Sequence, residues 1–250
     1  MSMQDRKTGS ESKARKKRSD TGGIMATDRD FAILRYINEQ YAIRFNHFAV
    51  LFRLYSPRKE AFEGQLLSET TAGATTLLYR MRRAGWLESK KLEYKKPPWI
   101  WLTRQALADI DSKHKYKEPV LAKLAHTHAT TGIRLYLETE HEGLVWKSER
   151  TINREYWEKT KKRVKHLVDG EVAFKDKKIA IEIELSYKGT DRTRDIIHWL
   201  LDRYDIVYYY ASRRCFNPVQ KVINSIESER VIIRPLETYL DKYEPTSRQE

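Results

Sequence analysis

From Lys178 to Lys188 the chain reads Lys-Ile-Ala-Ile-Glu-Ile-Glu-Leu-Ser-Tyr-Lys, an alternation of period two that admits few backbone conformations. Period two is the signature of an extended strand, whose successive side chains leave opposite faces of a sheet. Ile179, Ile181, Ile183 and Leu185 therefore share one face, and Glu182 and Glu184 share the other. Upstream, Val168, Val172 and Phe174 repeat the pattern, and a tight turn at Asp176-Lys177 would join the two runs as a hairpin. That turn pairs 168 with 185, 172 with 181 and 174 with 179, which puts Asp169 opposite Glu184 and Glu171 opposite Glu182.

Opposed carboxylates on adjacent strands repel unless a cation, a lysine or bulk water screens them. A hard divalent ion, Mg²⁺ or Mn²⁺, takes carboxylate and water oxygens and keeps positions open for a phosphate. The competing reading is an exposed hairpin whose acidic face meets only solvent, which is common in antiparallel sheets.

Composition bears on that choice. The chain carries 48 Lys and Arg against 35 Asp and Glu, a net charge of +13 with a pI near 9.6, so a polyanion is the expected partner. At 250 residues it can bury two modest cores. A single cysteine, Cys215, excludes a disulfide scaffold and a cysteine-based zinc site and suits a reducing cytoplasm. The sequence contains no apolar run of membrane-span length and no signal-like start, so no membrane partner is expected. Residues 1–26, with Lys13-Ala-Arg-Lys-Lys-Arg18, read as a flexible basic arm, either tracking phosphates or keeping the chain soluble.

From Thr27, an N-cap candidate with Asp28, the pattern is helical: Phe31, Leu34, Tyr36 and Ile37 form one stripe, and Phe45, Phe48, Val50, Leu51 and Leu54 a second. After a link around Pro57, a third helix over 70–83 is apolar at Leu77, Leu78 and Met81 and carries Thr71, Thr75, Tyr79, Arg82 and Arg83 on its other face. Gly85 ends it, and strands at Trp86-Leu87-Glu88 and Trp99-Ile-Trp-Leu-Thr103 flank a basic turn with Lys90, Lys91, Lys95 and Lys96. Three helices and a basic hairpin over 27–115 predict a winged helix-turn-helix. Its third helix would enter the major groove of double-stranded DNA and its lysines would hold the flanking backbone. A protein-binding winged helix is the competing reading.

A helix over about 118–142 bridges to a second domain, 116–250. Its expected elements are a strand at 144–146, the acidic hairpin, a helix at 195–204, a strand at 206–210, a helix at 218–228 and a strand at 231–233. Mixed strands between helices predict an α/β domain, hence α+β for the whole chain. No dinucleotide or P-loop glycine pattern is present.

The order strand, Asp169 on a hairpin, Glu182-x-Glu184, helix, strand resembles the restriction-endonuclease-like PD-(D/E)xK nuclease core. The whole chain, with Glu182-x-Glu184-Leu-Ser-x-Lys188 behind a winged helix, resembles the replication-relaxation proteins of mobile elements. Within them it is most similar to the MobC-type conjugative relaxases, which nick plasmid DNA at a transfer origin. The resemblance implies Asp169, Glu182 and Glu184 as catalytic metal ligands, with Glu149 as an additional acid. Lys188, on the strand face of Glu184, is a candidate catalytic electrostatic stabiliser, and the resemblance implies an accessory mobilisation or coupling protein as partner. Val168 stands where the family has proline, and Glu184 where lysine is usual. The implied reaction is attack on a phosphodiester by water activated at Mg²⁺ or Mn²⁺. The alternative is a non-catalytic replication or mobilisation accessory, or a transcriptional regulator, with a degenerate core; a non-specific or repair nuclease is a third reading.

A relaxase of another chemistry uses a tyrosine nucleophile and histidine-held metal. His126-Thr127-His128 has suitable spacing, but on a helix i and i+2 point about 200° apart and cannot share an ion. Both histidines are therefore read as packing or DNA-backbone residues. Strand parity places Tyr187 on the apolar face and Lys188 on the face of Glu184.

Overall fold

The structure, a computed structural model, describes residues 25–57, 60, 71–162, 164 and 166–243. Nearly all of the expected basic arm and most of the link after Pro57 lie outside the described residues. Ala26 is buried with the first hydrophobic core, so the packed chain begins one residue before the expected boundary.

Thr27 caps α1 (Asp28–Gln40): its hydroxyl accepts from the Asp30 N–H at 3.3 Å, and the Asp30 carboxylate accepts from the Thr27 N–H at 3.0 Å. The chain then reverses at Tyr41 into β1 (Ile43–Arg44) and α2 (Phe45–Leu54), followed by α3 (Thr71–Arg83), β2 (Leu87–Lys90), β3 (Trp99–Leu102) and α4 (Arg104–Asp109). The three strands are antiparallel in the order β1-β3-β2. Ile33, Leu34, Ile37, Phe48, Leu51, Leu77, Met81, Trp86 and Ile100 fill the space between them and the helices. β1 and α4 are absent from the sequence expectation because two and six residues are too few to display a period.

α5 (Leu121–Glu140) serves both halves of the molecule. Leu135 joins the first core, whereas Ala129, Ile133 and Leu137 lie on a second sheet. That sheet comprises β4 (Val145–Ser148), β5 (Gly170–Phe174), β6 (Lys177–Glu184), β7 (Ile206–Ala211) and β8 (Val231–Pro235) in sequential order. β4, β5 and β6 are antiparallel neighbours, and β6, β7 and β8 are parallel. Around it stand α6 (Glu149–Thr160), α7 (Thr190–Leu201), α8 (Arg213–Asn224) and α9 (Glu237–Leu240), the last running into a 3₁₀ turn at Asp241–Tyr243. Glu149 thus opens a helix, where the sequence reading had only a segment. α8 begins five residues ahead of Pro218, because Cys215, Val219, Val222 and Ile223 hold it to the sheet despite the lost helical N–H.

The hairpin register differs from expectation by two residues. The turn residues are Lys175 and Asp176, with φ of 47° and 60°, and Val172 pairs with Ile179, Glu171 with Ala180 and Gly170 with Ile181. A two-residue turn with both φ values positive suits the twist of a hairpin, and aspartate tolerates that conformation. A slip of two leaves each side chain on its expected face. It does remove Glu171 from Glu182, and it brings Asp169 level with Glu182 instead of Glu184.

Both faces of β6 are covered. The isoleucine face packs under α5; the glutamate face packs with Ala180, Val207 and Tyr209 against Ile197, Leu200 and Val219 of α7 and α8. The two halves are joined through Glu39, which accepts from Ser148 at 2.5 Å and Thr151 at 2.8 Å. Arg150 donates to the Asn38 carbonyl at 2.6 Å, and Asn46 to the Tyr243 carbonyl at 2.7 Å. Among the described residues no helix is long and apolar enough to cross a membrane.

Candidate functional site

Asp169 is fixed to β6 by two backbone contacts: its N–H donates to the Ile181 carbonyl at 3.1 Å, and its Oδ2 accepts from the Ile183 N–H at 2.7 Å. The next residue must be small, because the Trp146 indole lies across Gly170 where a Cβ would overlap it. Glu182 and Glu184 follow on β6 and are only 2% and 3% exposed, so they do not form a solvent-facing strip.

Each carboxylate has a cationic or imidazole partner. Asp169 Oδ1 lies 3.1 Å from His126 Nε2, Glu182 Oε1 lies 2.9 Å from His166 Nε2, and Glu184 Oε2 lies 3.0 Å from Lys188 Nζ. The strand ends at Glu184, so Lys188 reaches back from the following loop and not by strand parity. Tyr187 is likewise off the apolar face: it is exposed, and its hydroxyl contacts Thr190 at 2.8 Å. Glu171 belongs elsewhere, bound by Lys178 at 3.1 Å and the Tyr204 hydroxyl at 3.1 Å.

Burial pushes Glu182 up to about 7, and the Asp169 charge adds to it; the hydrogen bond and charge of His166, and Lys188, act the other way. Glu184 is also raised by burial, against the pull of Lys188. Partial loss of hydration raises Glu149, at the first position of α6 and still exposed, and Asp169 raises it further while His126 and Lys123 oppose. Burial would lower His126, but Asp169, with Glu149 and Glu182, holds it above its ordinary value. These cross-influences place Asp169, Glu182, Glu184, Glu149, Lys188, His126 and His166 in one electrostatic neighbourhood. Carboxylates held this dry favour a proton or a cation.

Among the described residues no three His, Cys, Asp or Glu side chains stand as a ready metal-binding group. The donor set still suits a hard cation: Glu182 and Glu184 each have an oxygen outside the contacts above, and the raised carboxyls are those an added positive charge would relieve.

The two histidines of the 126–128 run separate as helix geometry requires. His126 faces Asp169, whereas His128 is buried and stacked on His47 with ring centroids 4.6 Å apart. His126 is therefore part of the cluster and not a packing residue. His166 escaped sequence reading altogether, because it sits outside any periodic element in a lysine-rich stretch.

A cleft of about 760 Å³ opens beside the cluster, between the two halves. Asp169, Glu149 and His126 of the cluster line it together with Tyr41, Lys117 and Lys123. On a different surface, Thr71, Thr75, Tyr79, Arg82 and Arg83 are exposed along α3, and Lys90, Lys91, Lys95 and Lys96 are exposed on the hairpin. Tyr79, Arg82, Arg83 and Lys90 line a groove of about 540 Å³ there. Inside the hairpin loop Glu93 accepts from Trp99 Nε1 at 2.7 Å and Arg44 at 2.8 Å, which ties the loop to β1 and β3.

No family model, curated protein or solved structure matches the chain, and the functional reading rests on its own residues.

Proposed function

We propose that this chain is a sequence-specific DNA-binding endonuclease that nicks one strand with Mg²⁺ or Mn²⁺, of the replication-relaxation, MobC-type kind its motifs resemble. The observation that carries the reading is the burial of Glu182 and Glu184 beside a pinned Asp169, next to a cleft in a protein of net charge +13. Buried carboxylates of this density have a large cost unless a cation is part of the design.

The element order of residues 27–109, helices followed by a two-stranded hairpin, supports the reading of a winged helix-turn-helix in which α3 would be the recognition helix and β2-β3 the wing. The order β5, β6, α7, β7, with Asp169 ahead of β5 and Glu182-x-Glu184 on β6, supports the reading of a PD-(D/E)xK-like core. Asp169, Glu182, Glu184 and Glu149 would hold the ion, which would activate water and neutralise charge on the phosphate. Lys188 balances Glu184 and, released from it, can face a phosphate oxygen. Arg82, Arg83 and the hairpin lysines supply phosphate and base-edge contacts that set the register of the duplex. The partners to expect are a transfer-origin duplex and an accessory mobilisation or coupling protein.

One observation favours the second reading, a DNA-binding accessory with a silent core. His166 and Lys188 already contact Glu182 and Glu184, two of the carboxylates that a metal would need. The two readings part when supercoiled plasmid carrying a transfer origin is incubated with the protein and Mn²⁺ or Mg²⁺. The nicking reading expects open circles, lost in Glu182→Ala with Glu184→Ala. No open circles with either ion, or equal nicking by the double variant, sinks it. In parallel, Arg82→Ala with Arg83→Ala is expected to weaken duplex binding and lower the salt slope by about 0.9 for each lost phosphate contact.

A further inference from the structure

Three features converge on the cleft. The first is the start of α5, a 20-residue helix with no side-chain cap and no acid in its first turn. The Lys123 N–H is held by the Val120 carbonyl at 2.8 Å, and the positive dipole end of the helix favours an anion. The second is a set of cations around that end: Lys115 and Lys117 just before the helix, and Lys123 in its first turn, all exposed. None of these lysines makes an ion pair with a described residue. Three acids also line the cleft: Glu39 is occupied by Ser148 and Thr151, Asp169 by His126, and Glu149 stands exposed at the start of α6.

The third feature is Tyr41. Its φ of 74° and ψ of −52°, with the Ala42 N–H donating to the Gln40 carbonyl at 2.9 Å, form the strained kind of γ-turn. A bulky residue there costs energy that glycine would avoid. The turn holds the ring at the cleft, its hydroxyl donates to the Glu118 carbonyl, and Lys117 and Arg150 lie 6.0 and 5.6 Å from the ring centre. Both cations stand over the ring, so a base that stacks on Tyr41 takes the place of one of them and leaves it to meet the phosphate.

The cleft lies within the range of about 300–1,000 Å³ typical of sites for small ligands, which suits a stretch of single strand and not a duplex. We propose that this cleft seats one unpaired DNA strand, with Lys117 and Lys123 on its phosphates and Tyr41 stacked on a base. The identity of the polyanion as DNA rests on the proposed function. The division of labour is then a duplex on α3 and the hairpin, and a parted strand led past the start of α5 to Asp169.

Binding, measured without metal, tests this apart from nicking. Fluorescence anisotropy is read with labelled oligothymidylate and, separately, with a labelled origin duplex, both in EDTA. Lys117→Ala with Lys123→Ala should weaken oligothymidylate binding ten- to hundredfold, lower its salt slope by about 1.4, and leave the duplex unchanged. Lys175→Ala with Lys221→Ala removes the same charge elsewhere and should change neither. Tyr41→Leu should cost about tenfold on the oligothymidylate while Tyr41→Phe retains binding. Unchanged oligothymidylate binding in the lysine pair or in Tyr41→Leu overturns the proposal, as does an equal loss on both probes. Absence of nicking, with these binding differences intact, would overturn the nuclease reading alone.

Discussion

The α3-hairpin surface and the carboxylate cluster handle charge in opposite ways. Arg82, Arg83 and the hairpin lysines stand in water, whereas Glu182 and Glu184 are almost fully enclosed. In water a charge costs little to keep and is screened by salt; inside the protein it must find a partner or give up its ionisation. The first surface can therefore change its binding without changing the fold. The second couples folding, protonation and chemistry, so a substitution there is felt in all three.

Glu39 sharpens the contrast, since it is a half-buried carboxylate that is not raised. Burial would raise it, but hydrogen bonds from His114, Ser148 and Thr151 bring it to about 2. With a folded value below the ordinary 4.5, its stabilisation is complete above pH 4.5 and is lost as pH falls toward 2. Glu39→Gln is expected to remove about 3 kcal/mol at pH 7, read as a lower denaturant midpoint, with the gap from the parent closing below pH 4. A gap that stays constant with pH would show that donors do not set this carboxylate apart from the cluster.

The next effect concerns the backbone that places Asp169. Gly170→Ala forces a methyl group into the Trp146 indole and is expected to cost about 1–3 kcal/mol by thermal melting. Wild-type stability in that variant would mean that Trp146 does not fix the strand under the cluster.

Glu182 carries the opposite sign to Glu39. Its folded value is above its unfolded one, so the stability it contributes is fully present below pH 4.5 and declines as pH rises through about 7. Glu182→Gln is expected to melt about as the parent does at pH 5 and higher than the parent at pH 8, while losing any metal-dependent nicking. A parent that gains stability between pH 5 and 8 relative to the variant would contradict the burial argument. The smallest effect belongs to the exposed surface: Arg82→Ala with Arg83→Ala should alter stability by under about 0.5 kcal/mol. A larger loss would show that these arginines serve the fold, and the comparison between the two regions would fail.

The features legible in the sequence were local. The alternation over 178–185 sorted each side chain to its face, and neither the two-residue slip of the hairpin nor its cause altered that assignment. Thr27 read as a cap because a capping hydroxyl acts within three residues. The limits also follow from length: β1 and α4 are too short to show a period, and the start of α8 was hidden by Pro218. His126 was legible as a helical residue pointing away from His128, but not as the neighbour of Asp169.

The sequence by itself determined that Glu182 and Glu184 share one strand face, that Asp169 lies on the preceding run, and that the chain is strongly basic. Only the tertiary structure decided that this face is buried under α7 and α8, that His126, His166 and Lys188 meet the carboxylates, and that a cleft with Tyr41 opens beside them. The division has a physical cause. Side-chain parity and caps follow from backbone geometry over a few residues, whereas burial and charge pairing depend on which distant surfaces the packing of α5, α7 and α8 brings together.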